Sequence, residues 1–189
     1  MVRLVPAERD ALDLDAMQRI LVGDPSGLEA LYDRHACVAL AVALRILRDQ
    51  QDAEDVVHDV FLAVVERASQ FQAARGSPLS WLLTMVRNLA IDRVRGQTRR
   101  AQIAAEELRH EPSEPASDPE ALSCLERRRE EVRTWLASVS EAQRRTLEIA
   151  FFEGLSYPEI AEREGVPLGT VKSRAARGLM ALRAGGLLP

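Results

Sequence analysis

The chain has 189 residues, 47% of them hydrophobic and 29% charged, with a formal net charge of −4 and two cysteines. At about 100–200 residues per domain this length admits one domain or two, so a break in composition has to decide. The negative balance excludes attraction of the whole molecule to a polyanion. Cys37 and Cys124, far apart in sequence and outside any CxxC pair, exclude a disulfide scaffold, and inert thiols are expected.

Hydrophobic residues recur at helical spacing and no β-branched run alternates in polarity, so the predicted fold is all-α, in two small helical domains. No segment approaches the roughly 20 apolar residues that cross a bilayer. Acidic residues soon after Arg3 do not fit a charged-then-apolar export signal, which predicts a cytoplasmic chain.

Around Leu28–Leu47, EALYDRHACVALAVALRIL reads as a largely buried scaffold helix, apolar nearly all round beyond His35. Asp49–Asp52 reads as a polar connection. The next helix, DAEDVVHDVFLAVVERASQF, turns Val56, Val57, Val60, Phe61, Val64 and Val65 inward and leaves Asp55, His58, Asp59, Leu62 and Glu66 outside. A leucine ringed by carboxylates suits a basic protein partner, with a solvated acidic face as the plainer alternative.

In the loop QAARGSP, Gln72, Ala73, Ala74 and Arg75 precede Gly76 and Pro78, which end one helix before the next starts with Ser77 or Leu79 near its cap. That helix, WLLTMVRNLAIDRVRGQTRR, has Leu82, Leu83, Val86, Ala90 and Val94 on its apolar side. Trp81, Thr84, Asn88, Asp92 and Arg95 share the opposite side and run into Arg99 and Arg100. Such a stripe can stack on bases, hydrogen-bond and follow a phosphate backbone. The plainer readings are a core aromatic for Trp81 and a solvated face for Asn88 and Asp92. Beyond it, Glu106–Glu120 combines acidic residues with Pro112, Pro115 and Pro119 and almost nothing apolar, the composition of a flexible linker. The predicted boundaries are a first domain over 1–100, a linker over 101–122 and a second domain over 123–189.

The most informative stretch is SYPEIAEREGVPLGTVKSRAARGLMALR, from Ser156 to Arg183. Ala161 stands where two helices cross closely, Gly165 can take the positive φ of a turn, and Val171 plugs the core with Ile160 and Val166. If Leu168 opens the second helix, a rotation of ~100° per residue puts Val171, Ala175, Gly178 and Leu182 on one buried stripe. Gly169, Ser173, Ala176 and Arg177 then lie opposite, flanked by Thr170 and Lys172. From Gly165 to Arg183 the charged residues are Lys172, Arg174, Arg177 and Arg183, all cationic. This predicts a helix-turn-helix whose attraction to phosphate is local, rather than a plain helical hairpin with a solvated basic face.

The phrases LYDRH, DAEDVVHDVFLAVVER, WLLTMVRNLAIDRVR and LSYPEIAEREGVPLGTVKSRAARGLMALR, in that order around the linker, closely resemble the extracytoplasmic-function sigma factors of bacterial RNA polymerase. The GSPLSWLLT phrase is similar to the subgroup containing the sigma factors K of mycobacteria. The resemblance implies a promoter-specificity subunit whose partners are core RNA polymerase, promoter DNA and an anti-sigma factor. It implies that Asp55, Asp59 and Leu62 face the polymerase clamp. The loop Gln72–Pro78 with Asn88 would receive a flipped base of the minus-10 element, and Trp81, Asp92 and Arg95 would share that surface. Thr170, Lys172, Ser173, Ala176 and Arg177 would face the minus-35 duplex, and the acidic linker would run through the polymerase cleft. No catalytic residue, cofactor or metal is implied.

Two departures stand out. Ala176 is smaller than its counterparts in many relatives, and the chain is only 4% aromatic, without the cluster that holds melted DNA in primary sigma factors. Weak melting and stringent promoter choice follow. Two other functions compete: a stand-alone helix-turn-helix regulator, and a metal phosphohydrolase of the HD type using His35, His58, Asp59 and Asp92. The second requires those side chains to converge on one metal.

Overall fold

The computed structural model describes residues 6–104 and 139–184, and every regular element among them is helical. The N-terminal unit comprises α1 (Pro6–Leu21), α2 (Pro25–Leu47), α3 (Gln50–Arg67) and α4 (Pro78–Ala104). The C-terminal unit comprises α5 (Glu141–Glu148), continued by a π-helical turn (Ile149–Glu153), then α6 (Tyr157–Glu164) and α7 (Leu168–Ala184). Helix α4 runs to Ala104, past the boundary at 100 drawn from composition, while Glu106–Glu120 and Cys124 lie outside the described residues. No described helix is long and apolar enough to cross a membrane.

Local chemistry sets the helix ends. Asp24 accepts from the Ser26 amide at 2.9 Å, and Pro25, which has no N–H, costs nothing in the first turn of α2. Arg48 closes α2 in the left-handed conformation, its N–H donating to the Leu44 carbonyl. Asp49 then accepts from the Asp52 amide at 2.8 Å and opens α3 at Gln50. The polar stretch Asp49–Asp52 is therefore mostly the first turn of a helix, because the capping carboxylate lets the chain restart after Arg48 and Asp49 alone.

Helix α2 contacts α1, α3, α4 and the π-helical turn. Fully buried alanines line these crossings: Ala16 on α1, Ala39 and Ala43 on α2, Ala53 on α3 and Ala90 on α4. Leu31, Val56, Val60, Phe61, Val64, Leu82 and Val86 fill the space between. Two inward assignments need correction. Helix α2 buries only Gly27, Leu31, His35, Ala39 and Ala43, since its neighbours cover a single arc fully. Val65 is 48% exposed, one step of rotation beyond the inward arc that ends at Val64. The cysteine expectation also changes, for Cys37 is disulfide-bonded.

A polar cluster ties α1 to α2. The Arg34 Nε donates to Asp13 Oδ1 at 2.7 Å, and His35 Nε2 meets Asp13 Oδ2 at 2.6 Å, with Asp13 and His35 both buried. An ionised carboxylate only accepts, so Nε2 carries the hydrogen. Burial, the largest single influence, pushes the Asp13 carboxyl up, but hydrogen bonds and charge from His35 and Arg34 outweigh it and hold the group below its usual value. Asp13→Ala strands the buried His35 donor and removes the partner of the half-buried Arg34 guanidinium, and should cost about 3 kcal/mol in urea unfolding at neutral pH. Because the folded value is depressed, the carboxylate's contribution is complete above a pH of about 4 and is lost as pH falls through the folded value. The difference between wild type and Asp13→Ala should shrink over that acid range.

Gly165 joins α6 to α7 at φ 63°, with its N–H donating to the Glu162 carbonyl and open space where a Cβ would sit. The cost of a side chain is therefore backbone strain alone. Gly165→Ala should lower stability by about 1 kcal/mol, measured by thermal unfolding.

Candidate nucleic-acid interface

The α6–α7 pair is built as the turn glycine and plug residues predict. The Glu159 carboxylate accepts from the Ser156 amide at 2.6 Å and fixes the start of α6. Ile149, Ile160 and Val171 form the core, with Ala161 and Val166 packed against it. Leu168 opens α7, and Val171, Ala175, Gly178 and Leu182 are its buried stripe. Gly169, Lys172, Ala176 and Arg177 are exposed, while Thr170 and Ser173 are half-buried. The Ser173 hydroxyl donates to the Thr170 carbonyl at 3.0 Å. Arg177 donates through Nε to the Ser173 carbonyl and through Nη2 to the Ser173 hydroxyl, both at 3.2 Å. The guanidinium is thus laid along the outer face of α7, a helix without an acidic residue.

On α3, Asp55, His58, Asp59, Leu62 and Glu66 are exposed as the helical wheel predicts. Asp55 also lies 3.7 Å from Arg93, which reaches the Asp52 carboxylate at 3.5 Å and its carbonyl at 2.9 Å. Arg93 therefore joins α3 to α4 and leaves Asp59 as the freer carboxylate. The 52% exposure of Leu62, with Val65 nearby, gives this acidic surface a wider apolar centre than one leucine.

The loop before α4 is an exposed 3-10 turn, Ala73–Arg75, flanked by exposed Gln72 and by Gly76. Ser77 caps α4, its hydroxyl accepting from the Ser80 amide at 3.2 Å. Trp81 departs from the outer stripe drawn for it: it is half-buried and packs edge-on against Phe71 at 5.7 Å, on the fringe of the core. Asn88, Asp92 and Arg95 are exposed and line a cleft of about 220 Å³ together with Arg87, Ile91 and Gly154. None of the loop residues is in that lining. About 10 residues of helix, roughly 15 Å, separate the start of α4 from Asn88.

Sequence reasoning passed over Arg87, Ile91 and Gly154, whose roles arise from contact with the C-terminal unit. Arg87 Nη1 donates to the Asn88 side-chain oxygen at 3.0 Å and so orients the amide. Partial burial, followed by the charge of Arg95, pushes the Arg87 guanidinium below its ordinary value. Two crowded guanidiniums favour an anion between them. A stretch of cleft that sets an oriented amide beside the exposed Arg95 can hydrogen-bond a base edge next to a cation.

The residues proposed for a phosphohydrolase do not converge. His35 is buried against Asp13, whereas His58, Asp59 and Asp92 are exposed on α3 and α4. Among the described residues no three His, Cys, Asp or Glu side chains are grouped to hold a metal.

Two family models match separate stretches of the chain. The family model of sigma-70 region 2 matches residues 31–100, and that of sigma-70 region 4 matches residues 129–182. The chain is 35% identical over 177 residues to the ECF RNA polymerase sigma factor SigK of Mycobacterium tuberculosis H37Rv, covering 90% of this chain and 92% of that one. It is 36% identical over 184 residues to the factor of the same name in Mycolicibacterium vanbaalenii, covering 95% and 90%. Among solved structures, Rhodobacter sphaeroides SigE in complex with the anti-sigma ChrR is 26% identical, with 93% and 98% coverage and a TM-score of 0.49. Two sigma-70 regions in order, with relatives matched over nearly their full length, place this chain in the extracytoplasmic-function sigma factors of the sigma-70 family.

Proposed function

We infer that α4 and α7 divide promoter reading between them, with α4 meeting the minus-10 element and α7 the minus-35 duplex, while the acidic face of α3 binds core polymerase. The observation that carries this reading is the exposure of Lys172, Ala176 and Arg177 on an acid-free helix, with its opposite stripe wholly buried. A helix so presented can enter a major groove and meet phosphates on both flanks. The exposed Asn88, Asp92 and Arg95 supply a second polar surface on a different unit, suited to an unpaired base. Its action in the cytoplasm and its restraint by an anti-sigma partner follow from the family.

Run-off transcription over a promoter library, with and without core polymerase, tests the whole reading. Transcripts should need both components, and a cognate promoter bound equally well without polymerase would mark a stand-alone regulator instead. Asn88→Ala should impair strand opening and Arg177→Ala the binding of an isolated minus-35 duplex, each by about 1–3 kcal/mol. Permanganate footprinting reports the first and gel shift the second; equal loss of both signals in both variants would indicate misfolding. The double variant Asp55→Lys, Asp59→Lys should lose retention on immobilised core polymerase while keeping its helical circular dichroism.

A further inference from the structure

The outer face of α7 carries a short chain of hydrogen bonds with a fixed direction. A hydroxyl has one hydrogen, and Ser173 donates it to the Thr170 carbonyl at 3.0 Å. Its oxygen is left to accept, and it accepts from Arg177 Nη2 at 3.2 Å while the Ser173 carbonyl accepts from Arg177 Nε at 3.2 Å. Each bond polarises the next, so donation to Thr170 makes the Ser173 oxygen a stronger acceptor for the guanidinium.

The donors left over decide what Arg177 can read. A guanidinium carries five N–H groups in a planar fork. Nε–H and one hydrogen of Nη2 lie along one side of that plane, and the two Ser173 oxygens take this side. The end of the fork, with a hydrogen from each Nη, stays free. Such an end meets the O6 and N7 acceptors of a guanine in the major groove as a bidentate pair. Arg177 is exposed and α7 holds no acidic residue, so no carboxylate of its own helix competes for that end. Ser173 itself has little to offer DNA: it is half-buried, its hydrogen is committed, and a phosphate oxygen only accepts.

The hold is also local. Arg87 uses the same two nitrogens on carbonyls of the C-terminal unit, Phe151 and Ala150, each at 2.7 Å. Arg177 is held one turn back along its own helix, so its aim moves with α7.

We propose that Ser173 is a positioning residue for base reading, which acts through Arg177 by directing the end of its guanidinium at a guanine of the bound duplex, and makes no DNA contact of its own. The inference rests on the assignment of the outer face of α7 to the minus-35 duplex. A long side chain is thereby ordered before DNA arrives, which lowers the entropy lost on contact.

The test uses the full chain bound to core polymerase and a duplex library randomised over the upstream promoter region, sequenced before and after selection for binding. Arg177→Ala should erase a preference for guanine at one position. Ser173→Ala should weaken that same preference about two- to tenfold, the range for leaving one rotamer-rich side chain unordered, and should leave other positions unchanged. Ser173→Thr, which keeps the hydroxyl, should read as wild type. In the Arg177→Ala background Ser173→Ala should do nothing more, because a residue that acts through another then has nothing to act on. Alanine is a better helix former than serine, so Ser173→Ala keeps α7 helical. Additive losses in the double variant overturn the positioning role and leave the assignment of α7 standing. So does a Ser173→Ala effect that is absent at the Arg177 position or equal at all positions. If Arg177→Ala changes no position, that assignment and the inference fall together.

Discussion

The N-terminal unit depends on the small residues that α2 buries against its neighbours, Gly27, Ala39 and Ala43. Ala39 and Ala43 are fully buried, and Ala16, Ala53 and Ala90 do the same for α1, α3 and α4. Helices packed through such positions lie at the short end of the usual 8–10 Å separation, and added methylenes there cannot be absorbed without moving backbone. The direction of α4, and with it the outward aim of Asn88 and Asp92, is fixed by this packing. The Asp13, Arg34 and His35 cluster adds a fixed polar register between α1 and α2.

Charge is handled by partition. The chain carries an excess of acid, yet several of its cations are neutralised locally and others are not. Arg93, Arg144, Arg145 and Arg163 are tied to carboxylates. Exposed pairs of this kind add little stability, but they cancel charge where none is needed. Lys172 and Arg177 face solvent on a helix with no acidic neighbour in sequence. Sequence-wide charge is therefore a poor guide to where this molecule meets a polyanion, and the short-range field of α7 is a good one.

What could be read in the sequence follows from how local each determinant is. In α7 the buried stripe, the turn glycine and the run of cations all lie within about twenty consecutive residues, and the structure reproduces the stripe and the turn position by position. Helix α4 was legible on its core side except for Ile91, which is buried beside Gly154, 63 residues later in the chain. Arg87 falls between the apolar and polar sides of a helical wheel, and only the carbonyls it meets give it a purpose. Helix α1 went unread because, among its described side chains, the buried apolar residues are Ala16, Met17 and Ile20, too sparse a stripe to separate from its acidic surroundings. Trp81 could pass for a stacking platform because composition does not reveal Phe71 beside it.

Ala176 stands exposed on the outer face of α7, between two residues committed elsewhere: the buried Ala175 and Arg177, which is hydrogen-bonded to Ser173. Its methyl group has no structural duty, and substitutions at such surface positions commonly change stability by no more than about 0.5 kcal/mol. A side chain of almost any size can replace it while the plug and turn that hold α7 stay intact. This makes position 176 a place where a duplicated copy of the gene could acquire a different promoter preference in a single step, with the fold exerting no selection against the change.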